Sequence, residues 1–410
     1  MQQVTNQQRL KPWMGFVLFA VVMALFIFVC VPMQGASGTW GLIGTELLFL
    51  VLAIVFGLVF KIPLKEMFPI KKFTARDFFG SLLLLMGGTS FGAMSVGILS
   101  VFFPSTLEGG DVEALTDLII TGPGYILTML IIALLPAICE EAIHRGAILT
   151  CFRSIKKDWV IVLIMAIFFG INHMSALRFI NTAILGGCLS YIVVKKNNML
   201  LSSMMHFLLN FSASTISYLS TMLLSQSTGS QVTGSDISAA LESGAMKSAI
   251  GTYFMMGVAA PFMVVIGLML LNPAGHKKIR FLFAAIVAVV CLCASIGFTA
   301  YFAASSNIAS STFSYTNVEE NIASPAVNFE AKEEGNYTII CVLMNGNGEY
   351  TARVTDDHGV VVSEQAFPTG TIRTYTATVE LEPGIYHFSV VNGRHTIGES
   401  PSFSVQVSKS

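Results

Sequence analysis

Charge is what this sequence has least of. Only 11% of its 410 residues are Asp, Glu, Lys or Arg, against 54% hydrophobic, and mean hydropathy is +0.71. A soluble domain carries about 25% charged residues, so one water-soluble core is excluded for most of the chain. The net charge of -1 offers no basic surface to nucleic acid. Cysteine is sparse too. Cys30, Cys139, Cys151, Cys188, Cys291 and Cys293 lie in apolar stretches without zinc-ribbon spacing and read as small buried hydrophobes. Cys341 stands alone in the polar C-terminal region, which therefore has no internal disulfide. An H-E-x-x-H pair and a helical-repeat period are also missing.

What is present is a series of long apolar runs. A helix needs about 20 apolar residues to cross a bilayer. Runs near 13–33, 41–60, 78–103, 124–151, 159–175, 180–194, 199–224, 248–271 and 281–304 predict about nine spans. The fifth and sixth are short and separated by Met174–Arg178, as in a tilted or partly re-entrant pair. The first follows Arg9 and Lys11 but is too long for a signal-peptide core. Basic residues collect in alternate loops: Lys61, Lys65, Lys71, Lys72 and Arg76, then Arg153, Lys156 and Lys157, then Lys195 and Lys196, then Lys277, Lys278 and Arg280. The intervening loops are neutral or acidic, with Arg178 as the exception. Basic loops stay cytoplasmic, so the N-terminus is expected inside and the C-terminus outside.

Composition changes after Phe302. Residues 305–325 are rich in Ser, Ala and Asn and read as a linker. From Ala326 to Ser410 the pattern alternates with period two, as in Tyr337–Leu343, Glu349–Val354, Arg373–Val379 and Tyr386–Val391, with Gly, Asn and Asp between the segments. About seven short strands of this kind predict an all-β sandwich, expected on the extracytoplasmic face. Its His358, His387 and His395 are scattered and read as surface or packing residues. The predicted organisation is N-terminal transmembrane helices over 1–75, a membrane core over 76–225, further transmembrane helices over 226–304, the linker, and the β domain over 326–410.

Against so apolar a background, Glu140-Glu141-Ala-Ile-His144-Arg145 is conspicuous. An ionisable side chain at the centre of a membrane helix costs about 2.5–3.5 kcal/mol, and such residues mark functional sites. Glu141 and Arg145 are four apart with the acid first, the better orientation for an ion pair. Pro136 cannot donate to the carbonyl of Ile132 and should loosen the helix just before the glutamates. Two later spans carry His173, in Phe169-Gly-Ile-Asn-His173, and His206 with Asn210, which share one helix face. At 1.5 Å per residue, Glu140 lies about 20 Å from Arg153, His173 about 22 Å from Asp158, and His206 about 15 Å from Lys196. Comparable depth on three helices predicts one cluster. The cluster combines acids, imidazoles and an amide at one depth.

These residues resemble the CPBP family of intramembrane proteases, also called the Abi or CAAX-protease family. Its pattern is E-E-x-x-x-R, then F-x-x-x-H, then H-x-x-x-N or H-x-x-x-D on later helices, and Gly186 and Tyr191 also look like the family between the last two motifs. The resemblance covers roughly residues 75–225. His144 departs from it, standing where the family often has an aromatic residue. The resemblance implies that Glu140 and His173 activate water, that His206 and Asn210 hold the oxyanion, and that Glu141 and Arg145 orient and balance the site. It implies a membrane-associated protein or peptide as substrate, in CAAX-type processing, bacteriocin processing or immunity, or regulator cleavage. It favours a metal-independent reaction without a cofactor. If zinc took part, Glu140, His173 and His206 would be its ligands, a set known from catalytic zinc sites. The family's distribution and the unpaired cysteine of the tail point to a bacterial plasma membrane. A non-enzymatic membrane scaffold and a proton-coupled transporter are the alternative readings; the latter would show an internal repeat, and none is evident.

Overall fold

A computed structural model describes residues 10–102, 118, 123–228, 246–273, 277–306, 308–314, 322–324, 326–344, 348–368, 372–394, 396 and 401–409. Among the described residues nine long helices come first: α1 Pro12–Ser37, α2 Thr39–Val59, α3 Ala75–Phe102, α4 Tyr125–Phe152, α5 Asp158–Asn172, α6 Ala176–Lys196, α7 Met199–Thr228, α8 Met246–Leu271 and α9 Lys277–Ser306. Eight are long and apolar enough to cross a membrane, and α5, with 15 residues, is the short one. This is a multi-pass membrane protein.

The chain divides into two compact units. The first holds α1 to α6, α7 as far as Ser217, and Thr252–Ser295. Its core is built where small residues let helices approach. A Cβ on Gly267 of α8 would stand 2.6 Å from the backbone nitrogen of Leu84 on α3, so only glycine allows that crossing. One apolar cluster joins Phe19 and Val22 of α1, Phe49 and Ala53 of α2, Ile143, Ile148 and Phe152 of α4, and Phe168 of α5. Phe19 and Phe168 stack with ring centroids 3.9 Å apart. A second cluster joins Leu84, Leu189, Ile192, Met205 and Leu271. Lys195 reaches Asp158 at 2.5 Å and Lys196 reaches Asp77 at 2.6 Å, so the end of α6 is tied to the starts of α5 and α3. An apolar cleft of about 1360 Å³, lined by residues such as Leu163, Phe179, Ile184, Leu268 and Phe283, opens between α5, α6, α8 and α9. None of the three motifs contributes a lining residue beyond their shared helices.

α4 is not a uniform α-helix. It widens into π-helical turns over Leu130–Leu134 and Ala142–Ile148, on either side of the α-helical Leu135–Glu141. The first ends at Leu134, two residues before Pro136, which lacks the N–H that would bind the Ile132 carbonyl. The loosening expected there takes this form.

The β region is a pair of four-stranded sheets, ordered β1-β8-β3-β6 and β2-β7-β4-β5, with every pairing antiparallel. The strands are β1 Ala309–Ser314, β2 Val327–Ala331, β3 Gly335–Met344, β4 Tyr350–Asp356, β5 Val361–Ala366, β6 Ile372–Leu381, β7 Gly384–Asn392 and β8 Ser402–Lys409. Alternate residues point inward, and Tyr337, Ile339, Cys341, Leu343, Tyr350, Val354, Phe388, Phe403 and Val405 make the core. β5 is an edge strand with Val361 and Val362 exposed, and the register shifts by a bulge between Val354 and Thr355 beside it. The linker expected over 305–325 needs correction. β1 lies inside it and pairs with β8, Ala309 opposite Val407 and Ser314 opposite Ser402. Only Phe313 in β1 is a large apolar residue, so the strand is made by its partner rather than by its own composition. His358 is exposed and His387 bonds Asn328 at 2.7 Å on the surface, while His395 lies outside the described residues.

Candidate active site

The structure brings the motifs of α4, α5 and α7 together in the first unit. Glu141 is completely buried and fully bonded. Its Oε1 accepts from Arg145 Nη1 at 2.8 Å and faces His206 Nδ1 at 3.1 Å, and its Oε2 accepts from Ser202 Oγ at 2.6 Å. Arg145, also fully buried, donates from Nη2 to the Gly186 carbonyl at 3.1 Å and stands 4.3 Å over the Phe169 ring. Gly186 is needed for this approach: a Cβ there would lie 2.5 Å from the Cβ of Phe169.

Phe169 is the hub. Besides the guanidinium, it faces His173, His144 and His206 at ring-centroid distances of 4.9, 5.2 and 5.9 Å. His173 caps the end of α5 and bonds the Phe169 carbonyl through Nδ1 at 2.8 Å. A carbonyl only accepts, so Nδ1 carries the proton and neutral His173 presents a lone pair at Nε2. Arg145 holds Glu141 as the acceptor-only carboxylate, so His206 Nδ1 likewise donates, and His206 donates from Nε2 only as the imidazolium. That Nε2 lies 4.0 Å from Oε2 of Glu140.

Glu140 differs from its neighbour. Its side chain is 14% exposed, and its Oε2, although buried, has no hydrogen-bond partner among the described residues. Asn210 donates to the Ile132 carbonyl at 3.4 Å, the acceptor that Pro136 leaves without an N–H. One of its two amide hydrogens is used there, leaving the other. Tyr125 and Thr215, bonded at 2.8 Å, join α4 to α7 one turn further along.

Two residues stand out that the motifs did not single out by role. His144 is fully buried, and neither ring nitrogen has a hydrogen-bond partner among the described residues. Glu46, in the first half of α2, has a buried Oε2 without a partner among the described residues. The signal for Glu46 was in the sequence: it is the lone charged residue of 41–60. A catalytic zinc ion needs three protein ligands converging at about 2.0–2.2 Å. Among the described residues no group of three His, Cys, Asp or Glu side chains is placed to do so, and the Glu140, His173 and His206 set does not fit as it stands.

Residues 122–212 match the model of a family described as Type II CAAX prenyl endopeptidase Rce1-like. The match contains all three motifs and bears out the resemblance read from them. The match supports a CAAX-type endopeptidase at the level of the family. No curated protein matches the chain. Among solved structures, the carbohydrate-binding module CBM6cm-2 from Cellvibrio mixtus lichenase 5A, in complex with cellotriose, is 18% identical. It covers 25% of this chain and 98% of that one, with a TM-score of 0.19. The C-terminal CBM6 of LamC, a marine laminarinase from Zobellia galactanivorans, is 15% identical over 24% of this chain and 100% of that one, with a TM-score of 0.16.

Proposed function

We propose that the chain hydrolyses peptide bonds of membrane-associated proteins or peptides at Glu140, without a metal ion. The observation that carries this reading is the division between two adjacent carboxylates. Glu141 is saturated by three partners, whereas Glu140 keeps an unpartnered oxygen in a cluster with two imidazoles. One acid is structural and the other is free to take a proton.

Glu140 and the Nε2 lone pair of His173 draw a proton from water as its oxygen bonds the scissile carbonyl carbon. The carbonyl oxygen becomes an oxyanion, received by the second N–H of Asn210 and by Nε2 of His206 in its imidazolium form. Collapse of the intermediate breaks the C–N bond, and the proton taken from water goes to the departing amine. Glu141 and Arg145 act by holding His206 and the helix that carries Glu140. The basic loops support a cytoplasmic N-terminus and an extracytoplasmic β domain, and the family resemblance with the unpaired Cys341 supports a bacterial plasma membrane.

The test is peptide cleavage by purified protein, with a panel of membrane peptides and with or without a chelator. Glu140→Gln removes the base at constant size, and cleavage is expected to fall by about two to four orders of magnitude. Chelation is expected to change nothing. Near-normal cleavage by folded Glu140→Gln would remove the glutamate from the chemistry, and loss on chelation with recovery on zinc would restore the metal reading.

A further inference from the structure

The apolar cleft between α5, α6, α8 and α9 is separate from the candidate active site, and two of its walls, α8 and α9, lie beyond the segment that matches the protease family. Its volume of about 1360 Å³ is larger than a pocket for a drug-sized molecule, about 300–1,000 Å³. Its charged lining residues are Asp158, Lys195 and Arg280, and Asn272 accompanies them. Asp158 opens α5, Lys195 is the last residue but one of α6, Asn272 follows α8, and Arg280 is in the first turn of α9. These helix ends share one level. Lys195 bonds Asp158 at 2.5 Å, Lys196 bonds Asp77 of α3 at 2.6 Å, and Arg76 beside Asp77 donates to the Met269 carbonyl of α8 at 3.3 Å. Apart from these four and Tyr191, the lining is aliphatic or aromatic.

The cleft therefore has a polar end and an apolar body. From Phe179 to Tyr191 the lining of α6 runs about 18 Å at 1.5 Å per residue, close to one leaflet of a hydrocarbon core about 30 Å thick. Leu163 of α5 and Phe283 and Ile286 of α9 line the cleft and are exposed, so in a membrane it meets lipid. Trp159, exposed beside Asp158, is of the residue type that sits at headgroup depth. Two cations against one acid leave the polar end with one net positive charge. Lys277 and Lys278 precede Arg280 in the same basic loop. A guanidinium matches phosphate with two parallel N–H···O bonds, and basic pockets between membrane helices bind anionic head groups.

We infer that this cleft binds an anionic phospholipid of the leaflet on the basic-loop side. Its phosphate lies at the end that carries Lys195 and Arg280, and one acyl chain lies along the apolar face of α6. The bound chain fills the gap between α5–α6 and α8–α9 and holds the two pairs together. This role does not depend on the hydrolytic reading above.

The test uses the full chain, purified in detergent and stripped of lipid. Binding of phosphatidylglycerol and of phosphatidylcholine is counted by native mass spectrometry, and thermal midpoints are followed as each lipid is added. Phosphatidylglycerol is expected to fill one saturable site at lower concentration than phosphatidylcholine and to raise the midpoint further. Arg280→Gln is expected to reduce that preference about fivefold, the effect of one cation near an anionic surface, and Arg280→Lys to keep most of it. Leu163→Trp and Ile286→Trp add bulk to the cleft from α5 and from α9, and each is expected to weaken binding of both lipids. Equal binding of the two headgroups, or a preference that Arg280→Gln leaves intact, would overturn the inference and leave the cleft to bulk lipid. Binding that neither tryptophan weakens would place the lipid elsewhere. Displacement of phosphatidylglycerol by a prenylated peptide would make the cleft a substrate site and overturn the inference too. If a tryptophan variant does not fold, the headgroup preference of the wild type and its response to Arg280→Gln still decide the outcome.

Discussion

At the scale of single residues, the site is a study in which polar groups have partners. Arg145 holds Glu141, the ring of Phe169 and the Gly186 carbonyl at once. Arg145→Ala would strand a fully buried carboxylate, and breaking a buried pair costs about 3–5 kcal/mol. The expected outcome is a drop in folded yield and midpoint together with activity, unlike Glu140→Gln, which loses activity alone. A folded, stable Arg145→Ala would mean that Ser202 and His206 suffice to hold Glu141. His144 is the opposite case, an imidazole with neither nitrogen bonded. An unmade hydrogen bond at a buried group costs about 1–3 kcal/mol. His144→Phe, packed edge-on to Phe169 as His144 now is, should therefore raise the thermal midpoint and leave cleavage within a few-fold. The ion pair of Glu141 with Arg145 was legible from spacing and acid-first order. The commitment of Asn210 to a backbone carbonyl was not, because it depends on a donor that Pro136 lacks 74 residues earlier.

At the scale of elements, apolar runs located the nine long helices of the described residues, and their bounds differ from expectation by a few residues at most ends. Two features escaped it. The π-helical turns of α4 have no compositional signature apart from Pro136, and the longer one, Ala142–Ile148, is buried along its whole length. β1 escaped because a strand of Ser, Thr and Ala is decided by long-range pairing. The π-turn before Pro136 invites a direct test. Pro136→Ala restores an N–H to the Ile132 carbonyl, which then no longer needs Asn210. The turn should tighten and shift Glu140, and a displacement of about 1 Å in a catalytic group can cost about 10²-fold in rate. Cleavage by Pro136→Ala should fall without loss of midpoint. Unchanged kinetics would show that the widened turn is tolerated rather than used.

At the scale of the whole molecule, the chain joins a membrane bundle with a cleft in its wall to a two-sheet domain with a dry core. Both classes were readable from the period of their apolar residues, 3.6 against 2. Orientation is a matter of charge: with the N-terminus inside, added protease should remove the β domain from intact cells and spare the helices. A tail protected until the membrane is opened would reverse the assignment. The second sheet ends at β5, whose Val361 and Val362 face outward beside the bulge. An unpaired edge of this kind is a template on which another chain's strand can grow. The bulge twists it, and Glu364, ion-paired to Arg353 at 2.7 Å, interrupts the apolar row. Of the four strands that end the two sheets, β5 carries exposed valines in its described residues, and Val362→Lys is expected to raise the concentration at which the domain begins to aggregate.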